Sequence, residues 1–176
     1  MTPSHTAAQP AKTNAVHADF EELFEAHWDR ICQTLYRLTG DWDEAQDLAL
    51  ETFVQLYTRP PSENRNLAGW LYRVAMNLGF NAIRAHKRRR QYEEQAGPEG
   101  VHAISQDPLQ EVEQIAERQR VRRVLKSVKP RSARILLLRY SGLSYAEIAE
   151  ALDIPPGSVG TLLSRAEKEF VEAFSG

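Results

Sequence analysis

Residues 66–91 read NLAGWLYRVAMNLGFNAIRAHKRRRQ and contain no Asp or Glu. Leu67, Trp70, Leu71, Val74, Ala75 and Leu78 recur at three- and four-residue spacing, the mark of one helical stripe packed on a core. The far end of the same helix is cationic: Arg84, Lys87, Arg88, Arg89 and Arg90. A helix rooted in a core and ending in unpaired positive charge can meet a polyphosphate. A solvated basic end would look the same in this stretch alone, so its neighbours must decide.

Upstream, residues 18–39 predict an amphipathic helix, with Phe20, Leu23, Phe24, His27, Trp28, Ile31, Cys32, Leu35 and Tyr36 on its apolar face. His27 has no second ligand beside it and is expected to be packed. Gly40 stands where the helix should end. Asp41 and Glu44 form a capping-box-like pair that starts the next helix, which runs to about Tyr57. Asp41, Asp43 and Asp47 lack the glycine and the closing glutamate of a calcium loop, and acids at a positive helix start explain them. This helix should bury Ala45, Leu48, Ala49, Thr52, Phe53 and Leu56. Its other face carries Gln46, Asp47, Leu50, Glu51 and Gln55, and the apolar Leu50 among polar neighbours suits a surface that a partner covers. Residues 18–57 hold ten acids against Arg30 and Arg37. Acidic and basic stretches so separated suit partners of opposite sign. Between the two helices, TRPPSENRN forms a loop stopped by Pro60 and Pro61. Arg65 and Asn66 there, with Trp70, Arg73, Asn77 and Asn81 beyond, offer groups that read base edges or stack on an unpaired base.

Downstream, residues 92–107 lack helical periodicity and contain Gly97, Pro98 and Gly100, as an interdomain tether would. A helix from Pro108 to about Val128 follows, basic in its later half, and then a short buried helix over residues 131–141 closed by Gly142. Ser144 and Glu147 make a capping box for SYAEIAEALD; Ile154-Pro155-Pro156-Gly157 is a turn; a last helix runs to about Phe174. Two helices joined by a tight turn and led in by supporting helices read as a helix-turn-helix. At 100° per residue, Val159, Leu163, Ala166, Phe170 and Phe174 fall on one face of the last helix. Gly157, Thr161, Ser164, Arg165, Lys168 and Glu172 fall on the other. Glu167 and Glu169 flank the two cations, so the helix is weakly anionic, which is poor for a freestanding DNA binder.

The totals agree with a folded chain of one compact domain or two small ones: 176 residues, 42% hydrophobic, 26% charged, net charge −2. Cys32 is the single cysteine, which excludes an internal disulfide and a thiolate metal cluster. No apolar run reaches a membrane span, and the first residues lack the hydrophobic centre of a secretory signal. A cytoplasmic protein with no membrane insertion is expected. No nucleophile–base set, phosphate loop or metal spacing is present, so neither enzyme activity nor a cofactor is expected.

Two segments carry a family resemblance. AQDLALETFVQLY followed by GWLYRVAMNLGFNAIR, and SGLSYAEIAEALDIPPGSVGTLLSRAEKEF, resemble the second and fourth conserved regions of the sigma-70 family. Only these two regions are seen, which is the layout of extracytoplasmic-function (ECF) sigma factors. The resemblance implies an all-α fold of two small helical domains joined by a flexible linker, the C-terminal one a helix-turn-helix. The expected limits are a disordered tail over 1–17, the first domain over 18–91, the linker over 92–110 and the second domain over 111–176.

It also implies transcription initiation, with core RNA polymerase (clamp and flap regions) and promoter DNA as partners, and an anti-sigma factor as a regulator. By resemblance, Asp47, Leu50, Glu51, Thr52 and Phe53 dock on the clamp. Asn64, Arg65, Trp70, Arg73 and Asn77 read and melt the −10 element, and Arg84, Lys87, Arg88, Arg89 and Arg90 hold its phosphates. Ser158, Thr161, Ser164, Arg165 and Lys168 read the −35 element. Relatives often carry Gln where this chain has Leu50, basic residues at Gly160, Leu162 and Glu167, and a Phe-Arg-Gly pattern that the loop here lacks. Linking several modest contacts raises the local concentration of each, which reconciles an anionic recognition helix with DNA binding. Two other readings stay open on the sequence: a freestanding helix-turn-helix regulator, and a sigma-like interaction protein that reads promoters poorly.

Overall fold

The computed structural model describes residues 11–61, 66–96 and 110–176. Among these residues the structure is all-helical: α1 (Ala11–Thr39), α2 (Trp42–Thr58), α3 (Leu67–Ala96), α4 (Gln110–Ser127), α5 (Pro130–Tyr140), α6 (Tyr145–Leu152) and α7 (Val159–Ser175), the last led in by a 3-10 turn at Pro156–Ser158.

Two boundaries differ from the expectation. α1 begins at Ala11, so residues 11–17 of the expected disordered tail are helical. α3 runs to Ala96, into the expected linker. Both extensions lack an apolar stripe, which is why periodicity missed them. Adding a turn to an existing helix avoids the nucleation cost, and Ala, Lys, Glu and Gln suffice for that. Residues 1–10 and 97–109 lie outside the described residues.

The helix ends follow local chemistry. Gly40 closes α1 at φ 84°, a left-handed conformation that an L side chain resists. The Asp41 carboxylate accepts from the Glu44 amide at 2.9 Å and starts α2. Pro130 opens α5, where a missing N–H costs nothing. At α6 the expected capping box is complete: the Ser144 hydroxyl accepts from the Glu147 amide, and the Glu147 carboxylate accepts from the Ser144 amide at 2.7 Å.

α1, α2 and α3 pack on one another, and α4, α5 and α7 form a second bundle with α6. Ile31, Leu35, Leu38, Phe53, Leu56, Leu71 and Met76 are buried in the first. Ile135, Leu138, Leu143, Ile148, Val159 and Leu163 are buried in the second. The two sets belong to one continuous cluster, because α1 also packs on α4 and α5, and α3 on α5 and α6. Cys32 is buried in α1, as expected of a small hydrophobe, and burial with the nearby Asp29 pushes its thiol up to about 11. His27 is packed edge-on against the Tyr72 ring at 5.8 Å.

Candidate nucleic-acid interface

The outer face of α2 is an acidic stripe with an apolar seam. Asp47 and Glu51 are exposed, and Leu50 and Val54 stay 52% and 49% exposed although they are aliphatic. Tyr57, also exposed, extends the seam and sets its ring edge-on to Phe20 at 5.9 Å. Val54 and Tyr57 were not among the expected site residues, yet positions 50, 54 and 57 share a helical face. Thr52 and Phe53, which the resemblance placed at this surface, are fully buried, as the helical period predicts. The Thr52 hydroxyl donates to the Leu48 carbonyl at 2.8 Å, and Phe53 is ringed by Phe20, Phe24 and Trp28. The two positions therefore hold α2 on its bundle.

α3 is anchored more broadly than the expected stripe, because Tyr72 and Met76 are buried beside Leu71 and Ala75. The Asn66 side chain accepts from the Gly69 amide at 2.9 Å and so caps the helix start. Trp70 is half-buried on the core, Asn77 and Asn81 are exposed, and Arg73 reaches across to Glu150 of α6. Arg84, Lys87, Arg88, Arg89 and Arg90 are all exposed, so this cationic stretch presents its charge to solvent. His86 lies 2.6 Å from the Glu44 carboxylate and ties this end to the start of α2. Asn64 and Arg65 lie outside the described residues.

On α7, Val159, Leu163 and Ala166 are buried, and Phe170 stacks on Phe174 with ring centres 5.8 Å apart. Thr161, Ser164, Arg165 and Lys168 are exposed together, and Ser158 is half-buried at the turn. Lys168 sits 3.9 Å from Glu172, an exposed pair easily exchanged for phosphate. Glu169 departs from its expected place beside the recognition face. Its carboxylate accepts from the Lys129 amide at 2.8 Å and the Ser132 hydroxyl at 2.7 Å, capping α5. These bonds hold it below the usual glutamate range. The recognition face is thus less anionic than a count along the helix suggests.

Two arginines of α4, Arg120 and Arg122, turn out to be packing devices. Arg120 donates to the Phe174 carbonyl at 2.7 Å and lies over that ring. Arg122 covers the Tyr36 ring of α1. Beside Arg122 a mostly apolar groove of about 740 Å³ is lined by Tyr36, Val121, Leu125, Tyr140 and Phe170, with charges of both signs, Arg37 and Arg122 against Glu117 and Glu167. Among the described residues no His, Cys, Asp or Glu cluster suits a metal, and no helix is long and apolar enough to cross a membrane.

Known proteins share this construction. Residues 23–89 match the family described as Sigma-70 region 2, and residues 118–170 match Sigma-70, region 4. The chain is 32% identical over 161 residues to the ECF RNA polymerase sigma factor SigW of Bacillus subtilis, covering 85% of each. It is 31% identical over 158 residues to the RNA polymerase sigma factor YlaC of the same species, covering 87% of this chain and 91% of the relative. A solved structure of similar fold is the sigma factor RpoE of Bartonella quintana in complex with the anti-sigma factor NepR, with 20% identity, a TM-score of 0.60, and coverage of 89% of this chain and 97% of that one. An acidic α2, an α3 free of acids up to Gln91 and a helix-turn-helix thus occur in the order of those regions, and the chain belongs to the sigma-70 family as an ECF RNA polymerase sigma factor.

Proposed function

We propose that this sigma factor docks on core RNA polymerase through the outer face of α2, reads the −10 element with α3 and the −35 element with α7. The single observation that supports it best is the pairing of an exposed apolar-acidic seam on α2 with the acid-free stretch 66–91 of α3, whose five cations are exposed. An acidic, apolar seam suits a protein partner, whereas free cations suit phosphate. Asp47, Leu50 and Glu51, joined by Val54 and Tyr57, form the clamp contact. Asn64, Arg65, Trp70, Arg73 and Asn77 face unpaired bases; Arg84, Lys87, Arg88, Arg89 and Arg90 hold the strand. Ser158, Thr161, Ser164, Arg165 and Lys168 meet the −35 duplex. The protein acts in the cytoplasm, without catalysis of its own.

Purified chain added to core polymerase should form a stable complex and start transcripts at a defined promoter. Absence of a complex with core enzyme refutes the reading. A second partner is supported by the groove between α1 and the C-terminal bundle. Its apolar lining, flanked by charges of both signs, suits the apolar face of an amphipathic helix, and an anti-sigma factor is the regulator that would supply one.

A further inference from the structure

We propose that Gly160, at the start of the recognition helix, forms a notch that seats the 5-methyl group of a thymine, so that the −35 element carries an A·T pair at one set position. This deepens, and rests on, the assignment of α7 to the −35 element made above.

Nothing in the fold asks for glycine at this position. Gly160 lies inside the helical run that begins at Pro156. Among the described residues, positive φ is confined to Gly40, Gly142 and Asp153. Gly160 therefore uses none of glycine's conformational freedom, and within a helix it is less favourable than alanine. Packing does not ask for it either. A Cβ at Gly79 would come within 2.8 Å of Leu38 and 2.9 Å of Leu35, so that glycine lets α3 close on α1. A Cβ at Gly160 would meet the Tyr145 ring at an ordinary 3.7 Å, and nothing else within 4 Å outside the backbone of α7 and the adjoining residues. The position is thus a space one methyl group deep that the protein leaves open.

Three side chains border the notch, and none is charged. The Tyr145 ring, 45% exposed, stands on one side. Thr161 is the next residue and Ser164 lies one turn on; both are exposed and lead onto the recognition face. Tyr145 is braced. It is the first residue of α6, set directly behind the Ser144–Glu147 capping box. The Arg139 guanidinium lies 5.6 Å from its ring centre and donates to the Leu143 carbonyl at 3.4 Å. A wall held in this way keeps its shape before a ligand arrives, which selective seating of a small group requires.

The chemistry of the notch selects what fills it. Its floor is a bare Cα and its wall an aromatic edge, so it offers dispersion contact in place of a charge. In the major groove the one apolar group on a base edge is the thymine methyl. The first residues of a recognition helix are those that meet base edges, and Gly160 is the second residue of α7. With no Cβ in the way, a methyl carbon can rest on the Cα at ~3.5–4.0 Å, the separation of best contact. Arg165 and Lys168 on the exposed face can reach phosphates, and phosphate contacts fix how deep the helix sits. At that depth a Cβ at position 160 and a thymine methyl compete for one space. Uracil or cytosine leaves the notch empty and forfeits about fourfold in affinity, the factor for one buried methyl-sized group.

The test uses the full chain bound to core polymerase. The probe is a promoter identified by mapping transcript starts, with its −35 segment randomised and synthesised once with thymine and once with uracil. Wild-type holoenzyme should enrich an A·T pair at one position of the thymine pool, and the enrichment should fall about fourfold in the uracil pool. Gly160→Ala should abolish or invert that difference, because its methyl takes the space. The variant should melt no lower than the wild type, since its Cβ fits and alanine favours the helix. A pool in which no position responds to the methyl group overturns the proposal, as does a Gly160→Ala protein that keeps the thymine preference. A lower melt for Gly160→Ala also overturns it, because the space would then serve packing. A holoenzyme that enriches no −35 sequence at all refutes the assignment of α7 along with the notch, whereas an enriched sequence without a methyl-dependent position refutes the notch alone.

Discussion

Replacing Leu50 with alanine tests the clamp seam most directly. Leu50 is 52% exposed, so docking can bury about half of its side chain. Full burial of a leucine is worth ~2 kcal/mol, which makes the half share ~1 kcal/mol and the loss in affinity about fivefold. Adding Val54→Ala, one turn on and 49% exposed, should bring the loss to roughly twentyfold if the two contributions add. Folding should scarcely respond, because changes at half-exposed helix positions stay within ~0.5 kcal/mol. Leu56→Ala serves as the contrast. Its side chain is fully buried, so it should cost ~2–5 kcal/mol of stability. The assay is competition of each variant with a labelled wild type for core polymerase, run beside thermal melts. A double variant that competes as well as the wild type would refute the assignment of this face, whatever its transcription activity.

Three further outcomes are expected. Arg165→Ala and Lys168→Ala should each weaken binding of a −35 duplex and lower the slope of log affinity against log salt by about 1, measured by titration across salt concentrations. Ser144→Ala should cost about 1 kcal/mol by removing the α6 cap, seen as a lower midpoint in urea. Glu147 should add an acid-dependent component. Burial raises its pKa, but the hydroxyl and amide of Ser144, with Arg30 and His27, outweigh burial and hold it below the usual glutamate value. A depressed folded pKa gives stability that is present above the ordinary value and lost as pH falls through the folded one. Glu147→Gln should therefore flatten the acid limb of stability below about pH 4.5 and leave the neutral region comparatively unaffected by pH.

Much of the fold is legible in the chain because its cues are local. The apolar period of Phe20 to Tyr36, the Asp41 and Ser144 caps and the prolines at 60, 61 and 130 act within a few residues. The paired motifs around Asp47 and Ser144 were enough for the family. Boundaries were less legible where a helix continued without an apolar stripe, at residues 11–17 and 92–96, since extending a helix needs no core contact. Site residues separated according to what packs beside them. The helical period put Thr52 and Phe53 on the buried flank of α2, where they lie, whereas the family resemblance carried them to a surface that exposes Leu50, Val54 and Tyr57.

Charge was the least legible feature, because its meaning depends on partners far along the chain. Glu169 looks like an acid beside a recognition face but caps α5, and Arg122, one of the charges of a basic stretch in the sequence, covers Tyr36. By itself the sequence determined the helices, their caps and the family, all of which rest on contacts a turn or two apart. Only the tertiary structure decided that Arg73 meets Glu150 and Thr34 meets Ser141, pairs 77 and 107 residues apart. No local period encodes such pairings; they exist only once two folded surfaces come together.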